Sequence, residues 1–282
     1  GFTLIEMVLV LIILATIAGL VISQLSMLGR TSDMAATAKN QQDIANQLSL
    51  YFVLQKRMPQ RLDSLLQTGA TPAVMPALTR TGATGASSTN QGWGFPLGGS
   101  QGSDLVENLT AVDLRATGAP AGARRSLTRL GLDVVMDHQA WAAGANCSDS
   151  GNVARTLDDG TNCWVTRVLT TTNGDTLPTG SGVIPIVQRI YPTLGGALPD
   201  GVTALVAVGV GPNSSLVPDT MLNAPIYPGC DGSYYGRYIA YFACFATGER
   251  AQLVGVSDSY GRFPGYSQQQ FVESLPNNGR QG

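Results

Sequence analysis

Four cysteines, Cys147, Cys163, Cys230 and Cys244, head the residues of this 282-residue chain that could carry chemistry. Four thiols allow three disulfide connectivities. Pairing by sequence proximity favours Cys147–Cys163 and Cys230–Cys244. A Cys₄ zinc site wants C-x-x-C pairs, and the spacing of these cysteines supplies none. His138 is the single histidine, which excludes a multi-histidine metal centre. A catalytic role for it would need a nucleophile and an orienting acid. Gly255-Val256-Ser257-Asp258-Ser259 lacks the second glycine of a nucleophile elbow, so His138 is expected to be structural. Asp158-Asp159-Gly160-Thr161-Asn162 offers oxygen ligands without the alternate spacing of a calcium loop, and reads as a solvated turn. Val208-Gly209-Val210-Gly211-Pro212 follows a strand pattern but lacks the G-x-G-x-x-G spacing and a following helix, so it too reads as a turn. Arg115, Arg124, Arg125 and Arg129 form the densest basic stretch, diluted by Asp113 and Asp133 and without aromatic stacking partners. The sequence therefore predicts no catalytic residue, metal, cofactor or specific nucleic-acid partner.

Composition agrees. Charged residues make up 13% of the chain, against about 25% in ordinary globular domains. The formal net charge of −2 excludes a strongly basic nucleic-acid binder and a highly charged disordered chain. Apolar residues are concentrated at the start. Phe2 to Leu28 is almost uninterrupted in its apolar character, with Glu6 its only charge. A run of about 20 apolar residues is long enough to span a bilayer as a helix. It lacks the basic n-region and small-x-small cleavage site of a secretory signal peptide. An acid inside such a run is expensive in lipid and is a functional candidate.

Gly1-Phe2-Thr3-Leu4-Ile5-Glu6 followed by this apolar run resembles the processing site of type IV pilins and type II secretion pseudopilins. The resemblance extends over roughly residues 1–66, its later part carried by Tyr51, Arg57-Met58-Pro59, Leu62 and Leu65-Leu66. It implies a precursor cut after Gly1 by a prepilin peptidase and N-methylated on Phe2. It implies that Glu6 pairs with the N-terminal amine of a neighbouring subunit inside a filament. It also implies an exported head, where disulfides form. The presence of Gly1, which the family's cut would remove, and the lack of a proline before Pro59 depart from the family pattern. Gly19 is the only helix breaker in the apolar half, and Ala15–Gln24 is where local melting in a filament is expected.

Residues 30–56 continue the helical period: Met34, Ala38, Gln41, Ala45, Leu48 and Phe52 recur at i, i+3 or i+4. A helix over 2–56 would be about 82 Å long, and Pro59 stops it. Residues 67–103 are rich in Gly, Ala, Thr and Ser and read as a long surface loop. Asp104–Leu109 and Ser126–Ala143 read as short helices. Trp164–Thr170, Val183–Ile190, Val202–Val210, Arg237–Phe245 and Ala251–Ser257 read as strands bounded by turn residues.

The expected architecture is α+β: a long N-terminal helix, apolar in its first half, packed on a C-terminal antiparallel sheet. Its divisions are an apolar half-helix over 1–28, an amphipathic continuation over 29–57 and a globular head over 58–282. The expected function is a structural pilin of an extracellular type IV pilus-like filament. A pseudopilin of a type II secretion system and a low-copy tip adhesin or DNA-uptake pilin are the alternatives. The implied partners are copies of the chain itself, the peptidase and the pilus assembly machinery. The implied location is the bacterial inner membrane before assembly and the cell surface afterwards.

Overall fold

A computed structural model describes residues 4–69, 71–75, 105–138, 152–158, 160, 162–179, 184–226, 235–259 and 261–263. The first element, α1, is a single helix of 52 residues over Leu4–Gln55. Leu, Ile, Val, Met and Ala dominate its first half, and no proline interrupts it, so it passes through Gly19 and Gly29 without a break. It ends where Lys56 turns into the left-handed region at φ 56°, followed by Pro59, which has no N–H to donate.

Among the described residues nine strands follow, all in one mixed sheet. They are β1 (Leu62–Gln67), β2 (Ala73–Val74), β3 (Leu109–Asp113), β4 (Val134–His138), β5 (Asn152–Thr156), β6 (Trp164–Val168), β7 (Val202–Gly209), β8 (Ile239–Phe245) and β9 (Ala251–Ser257). Three short α-helices intervene among the described residues: α2 (Ala123–Leu130), α3 (Ile186–Ile190) and α4 (Leu216–Asp219). The main path runs β3-β6-β7-β1-β4-β5, with β8 on β7, β9 on β8 and β2 on β1. All pairs are antiparallel except β1 with β4, which run parallel.

This corrects the expected architecture. The sheet is mixed and begins at residue 62, directly after α1. It is not an antiparallel sheet confined to the C-terminal half, and most of the regular structure outside α1 is β. The physical reason lies in two strands. β1 reads Leu-Asp-Ser-Leu-Leu-Gln, whose Asp63 and Ser64 are poor strand formers, yet both are buried at its centre. β4 was hidden in the expected helix over Ser126–Ala143, which ends instead at Leu130, with Gly131 in the left-handed region at φ 77°. Val183–Ile190, expected as a strand, holds α3, which starts after Pro185. The Gly/Ala/Thr/Ser-rich loop expected over 67–103 lies mostly outside the described residues.

The core has two layers. On one face Ile44, Leu48 and Tyr51 of α1 and Leu127 of α2 pack with Val206, Val208 and Phe242. On the other, Ile186 and Val187 of α3 join Leu205, Ile239 and Tyr241. Only the later part of α1 takes part: Thr37, Gln41, Ile44, Leu48 and Tyr51 are its buried side chains among the described residues.

The joint between α1 and the sheet is riveted by Gln60. Its Nε2 donates to the carbonyls of Met58 and Gly131, and its Oε1 accepts from the amides of Asp133 (3.0 Å) and Val134 (2.8 Å). Its own amide donates to Ser215 Oγ at 2.9 Å, which lies 3.0 Å from Tyr51 Oη. Gln60→Ala leaves these part-buried groups without partners and is expected to destabilise the fold by about 2–3 kcal/mol. Urea unfolding checks this; Gln60→Glu is no rescue, because its acceptor-only carboxylate would face the Met58 and Gly131 carbonyls.

Candidate functional site

The described side chains of the N-terminal part of α1 are almost all exposed. Leu4, Ile5, Met7, Val8 and each residue from Leu9 to Leu14 range from 83% exposed at Leu4 to 46% at Val8. A helix surrounds itself with such residues when its environment is apolar on every side. Among the described side chains of α1, the first that is buried is Thr37, far along the helix from this stretch. Glu6 lies in this helical stretch, and no Lys or Arg precedes Arg30 in sequence. Gly1 and Phe2, the expected processing site, lie outside the described residues. At Gly19 the helix is continuous within the single subunit.

No helix among the described residues is long and apolar enough to cross a membrane. The expected residence in an inner membrane is corrected accordingly: this structure does not support insertion.

Cys163 and Cys244 are free, buried thiols in the α1-facing core layer. The expected pairings end at Cys147 and Cys230, which lie outside the described residues. Burial pushes both thiols up to about 12, so they stay protonated and unreactive at neutral pH. Asp158 is ion-paired. Its carboxylate is clasped by Arg124 and Arg115, each 2.7 Å away, and their bonds hold it below its ordinary pKa. Arg129 is paired with Glu249 at 2.7 Å. Arg124 and Arg125 border an open cavity of about 400 Å³ floored by small residues such as Ala119 and Gly122. No group of three or more His, Cys, Asp or Glu that could hold a metal occurs among the described residues.

Sequence reading missed a buried polar cluster around β1. Asp63 is fully buried and accepts a 2.6 Å bond from Tyr235 Oη. Ser64 Oγ donates to Asp137 Oδ1 at 2.5 Å. Arg155 grips the same carboxylate through Nε (2.5 Å) and Nη2 (3.0 Å), and Nη2 also reaches the Trp164 carbonyl at 2.9 Å. Thr166 Oγ1 donates to the Ser64 carbonyl at 2.6 Å. The Gly209-x-Gly211 spacing was the available signal. A Cβ on Gly209 would overlap Tyr235 Oη, and one on Gly211 would overlap the Asp63 carboxylate. Two glycines therefore mark a close approach of backbone to a buried acid, and not only a turn. Leu65 takes a φ of 60° where the β1–β4 register shifts, an uncommon conformation for a bulky residue. The cluster ties β1, β4, β5 and β6 together. Its acids are spent on hydrogen bonds and one ion pair, an arrangement that holds a fold.

His138 closes β4, buried, with its ring edge-on to Tyr235 at 5.8 Å. Burial lowers its pKa from 6.5 to about 4, against the opposing pull of Asp137. A base with a depressed folded pKa binds fewer protons folded than unfolded between those values. Its neutral form therefore contributes stability that is complete above pH 6.5 and is lost as pH falls towards 4, about 3 kcal/mol over that window. Denaturant unfolding at pH 7 and at pH 4.5 should show most of this loss. The slope should flatten in His138→Phe, since the chain has no other histidine.

Compared with protein-family models, curated proteins and solved structures, the chain matches none.

Proposed function

We propose that this chain is a structural subunit of a filament of the kind its N-terminal motif resembles, polymerising through the first part of α1. The observation that carries the reading is the exposed helical surface from Leu4 to Leu14, which the chain's own fold leaves uncovered. Copies of the same surface are an adequate cover. Burying apolar area contributes roughly 25 cal/mol per Å², so each large side chain brought out of water is worth about 1.5–3 kcal/mol. The segment has ten such side chains, against an ordering cost that the preformed helix has already met in part. The sheet and its helices then form a head carried on the outside of the polymer. The reading assigns the head no reaction.

Leu9→Asp combined with Ile13→Asp tests it. The head should unfold at an unchanged denaturant midpoint, since neither residue touches its core. Sedimentation should show the filament replaced by single subunits. A polymer of normal length from this variant would refute the reading.

A further inference from the structure

The surface formed by the start of α2, the β8–β9 turn and the turn after β5 is basic, in a chain whose formal net charge is −2. Among the described residues five arginines gather there, Arg115, Arg124, Arg125, Arg129 and Arg250, against three acids, Asp113, Asp158 and Glu249. Arg129 is taken by Glu249, and the guanidinium of Arg250 lies 4.2 Å above the Phe245 ring. Arg115 and Arg124 share the single carboxylate of Asp158, so one positive charge of that trio is left over. Arg125 has no ion-pair partner among the described residues. Its stem lies across Gly248, where a Cβ would come within 2.7 Å of Arg125 Cδ. Five bases against three acids leave a local excess of two positive charges.

This excess borders the open cavity of about 400 Å³. Arg124, Arg125 and Thr247 supply its polar lining, Leu114, Ala116 and Ala246 part of its apolar lining, and no acid lines it. Thr247 Oγ1 accepts from the Glu249 amide at 3.3 Å and keeps its own hydrogen to donate. The walls are pinned in advance. Ser126 Oγ donates to the Phe245 carbonyl at 3.1 Å and accepts from its amide at 3.2 Å, and Thr203 Oγ1 donates to the Ala121 carbonyl at 2.8 Å. A cavity fixed before its ligand arrives costs less to order on binding.

We propose that this cavity binds a small phosphate monoester, with Arg124 and Arg125 on the phosphoryl oxygens and the carbon skeleton against the alanines. A guanidinium fork matches phosphate oxygens bidentately. A carboxylate would neutralise one charge of the excess, whereas a phosphate monoester carries close to two at pH 7. The volume lies at the small end of the range of small-molecule sites, about 300–1,000 Å³. The site belongs to the head and is independent of how α1 is covered.

Isothermal titration of the full-length chain with glycerol 3-phosphate at low ionic strength should show one site per chain. Inorganic phosphate should bind more weakly, because it leaves the alanines uncovered; equal binding would overturn the ester and leave the site to the free ion. Arg125→Ala should weaken glycerol 3-phosphate by about tenfold or more, and Arg125→Lys by less. Ala116→Glu, which places an acid at the cavity, should abolish binding. Residues 116 and 125 are both exposed, so the thermal midpoint of these variants should not move. Arg129→Ala, which removes a guanidinium already paired with Glu249, should change the affinity by no more than about twofold. Equal losses at positions 125 and 129 would show a diffuse field in place of a site and overturn the proposal. No binding of glycerol 3-phosphate at millimolar concentration, or an unchanged affinity in Arg125→Ala, would overturn it as well. So would a steeply salt-dependent affinity for a short nucleic acid without binding of the ester.

Discussion

Asp137→Ala is expected to cost about 3–5 kcal/mol of folding stability, among the largest effects of any single substitution in the head. The carboxylate is 5% exposed and is gripped twice by Arg155, whose side chain is 18% exposed, and once by Ser64. Removing it leaves a guanidinium in a poorly hydrated site with the Trp164 carbonyl as its remaining partner among these bonds. The cost is therefore that of an uncompensated charge more than that of a lost attraction. This distinction is measurable. Arg155→Met in the Asp137→Ala background removes the orphaned charge, so the double variant should be more stable than the sum of the two single losses predicts. Chemical denaturation of the four proteins of the cycle gives the coupling. A loss under 1 kcal/mol for Asp137→Ala, or strict additivity, would show that the pair is better solvated than its burial indicates.

The second large effect concerns assembly. Glu6→Ala should reduce filament yield by an order of magnitude or more and leave the head folded. Glu6 lies some thirty residues before Thr37, where the described burial of α1 begins, so head stability does not depend on it. In the polymer an acid among apolar helices is retained only if a cation of a neighbouring copy meets it, because an unpaired buried charge costs several kcal/mol. Removing one partner leaves the other desolvated. Glu6→Asp keeps the charge with a shorter reach and should be intermediate. Filament mass per cell or per mole of subunit, read by sedimentation, settles the order of the three proteins. Equal yields would remove Glu6 from the mechanism.

Much of α1 was legible because its signals are local: an unbroken apolar run, then a period of three to four residues, then Pro59. The hairpin of β8 and β9 was legible for the same reason, as β-branched and aromatic runs flanking Thr247-Gly248. β1 and β4 were not. Asp63, Ser64 and Asp137 become tolerable in strands only because Tyr235, Arg155 and Thr166, distant in sequence, arrive to satisfy them. Local propensity carries no trace of such long-range pairing. The parallel β1–β4 pair likewise depends on a crossover through β3 and α2 that no turn motif announces. The buried cluster left one mark, the two glycines at 209 and 211, whose spacing read as a turn because the acid they accommodate lies at position 63. In α1 the apolar run pointed to a membrane span, whereas no helix among the described residues is long and apolar enough to cross a membrane.

The central claim is that the exposed start of α1 is covered by other copies of this chain. Cryo-electron microscopy of the polymer formed by the full-length chain tests it most directly. The account predicts a helical filament in which Leu4–Leu14 of each subunit is enclosed by α1 helices of its neighbours, with the sheets outside. A polymer held together by its sheets with α1 turned to solvent, or a chain that stays a single subunit with Leu4–Leu14 exposed at high concentration, would contradict it.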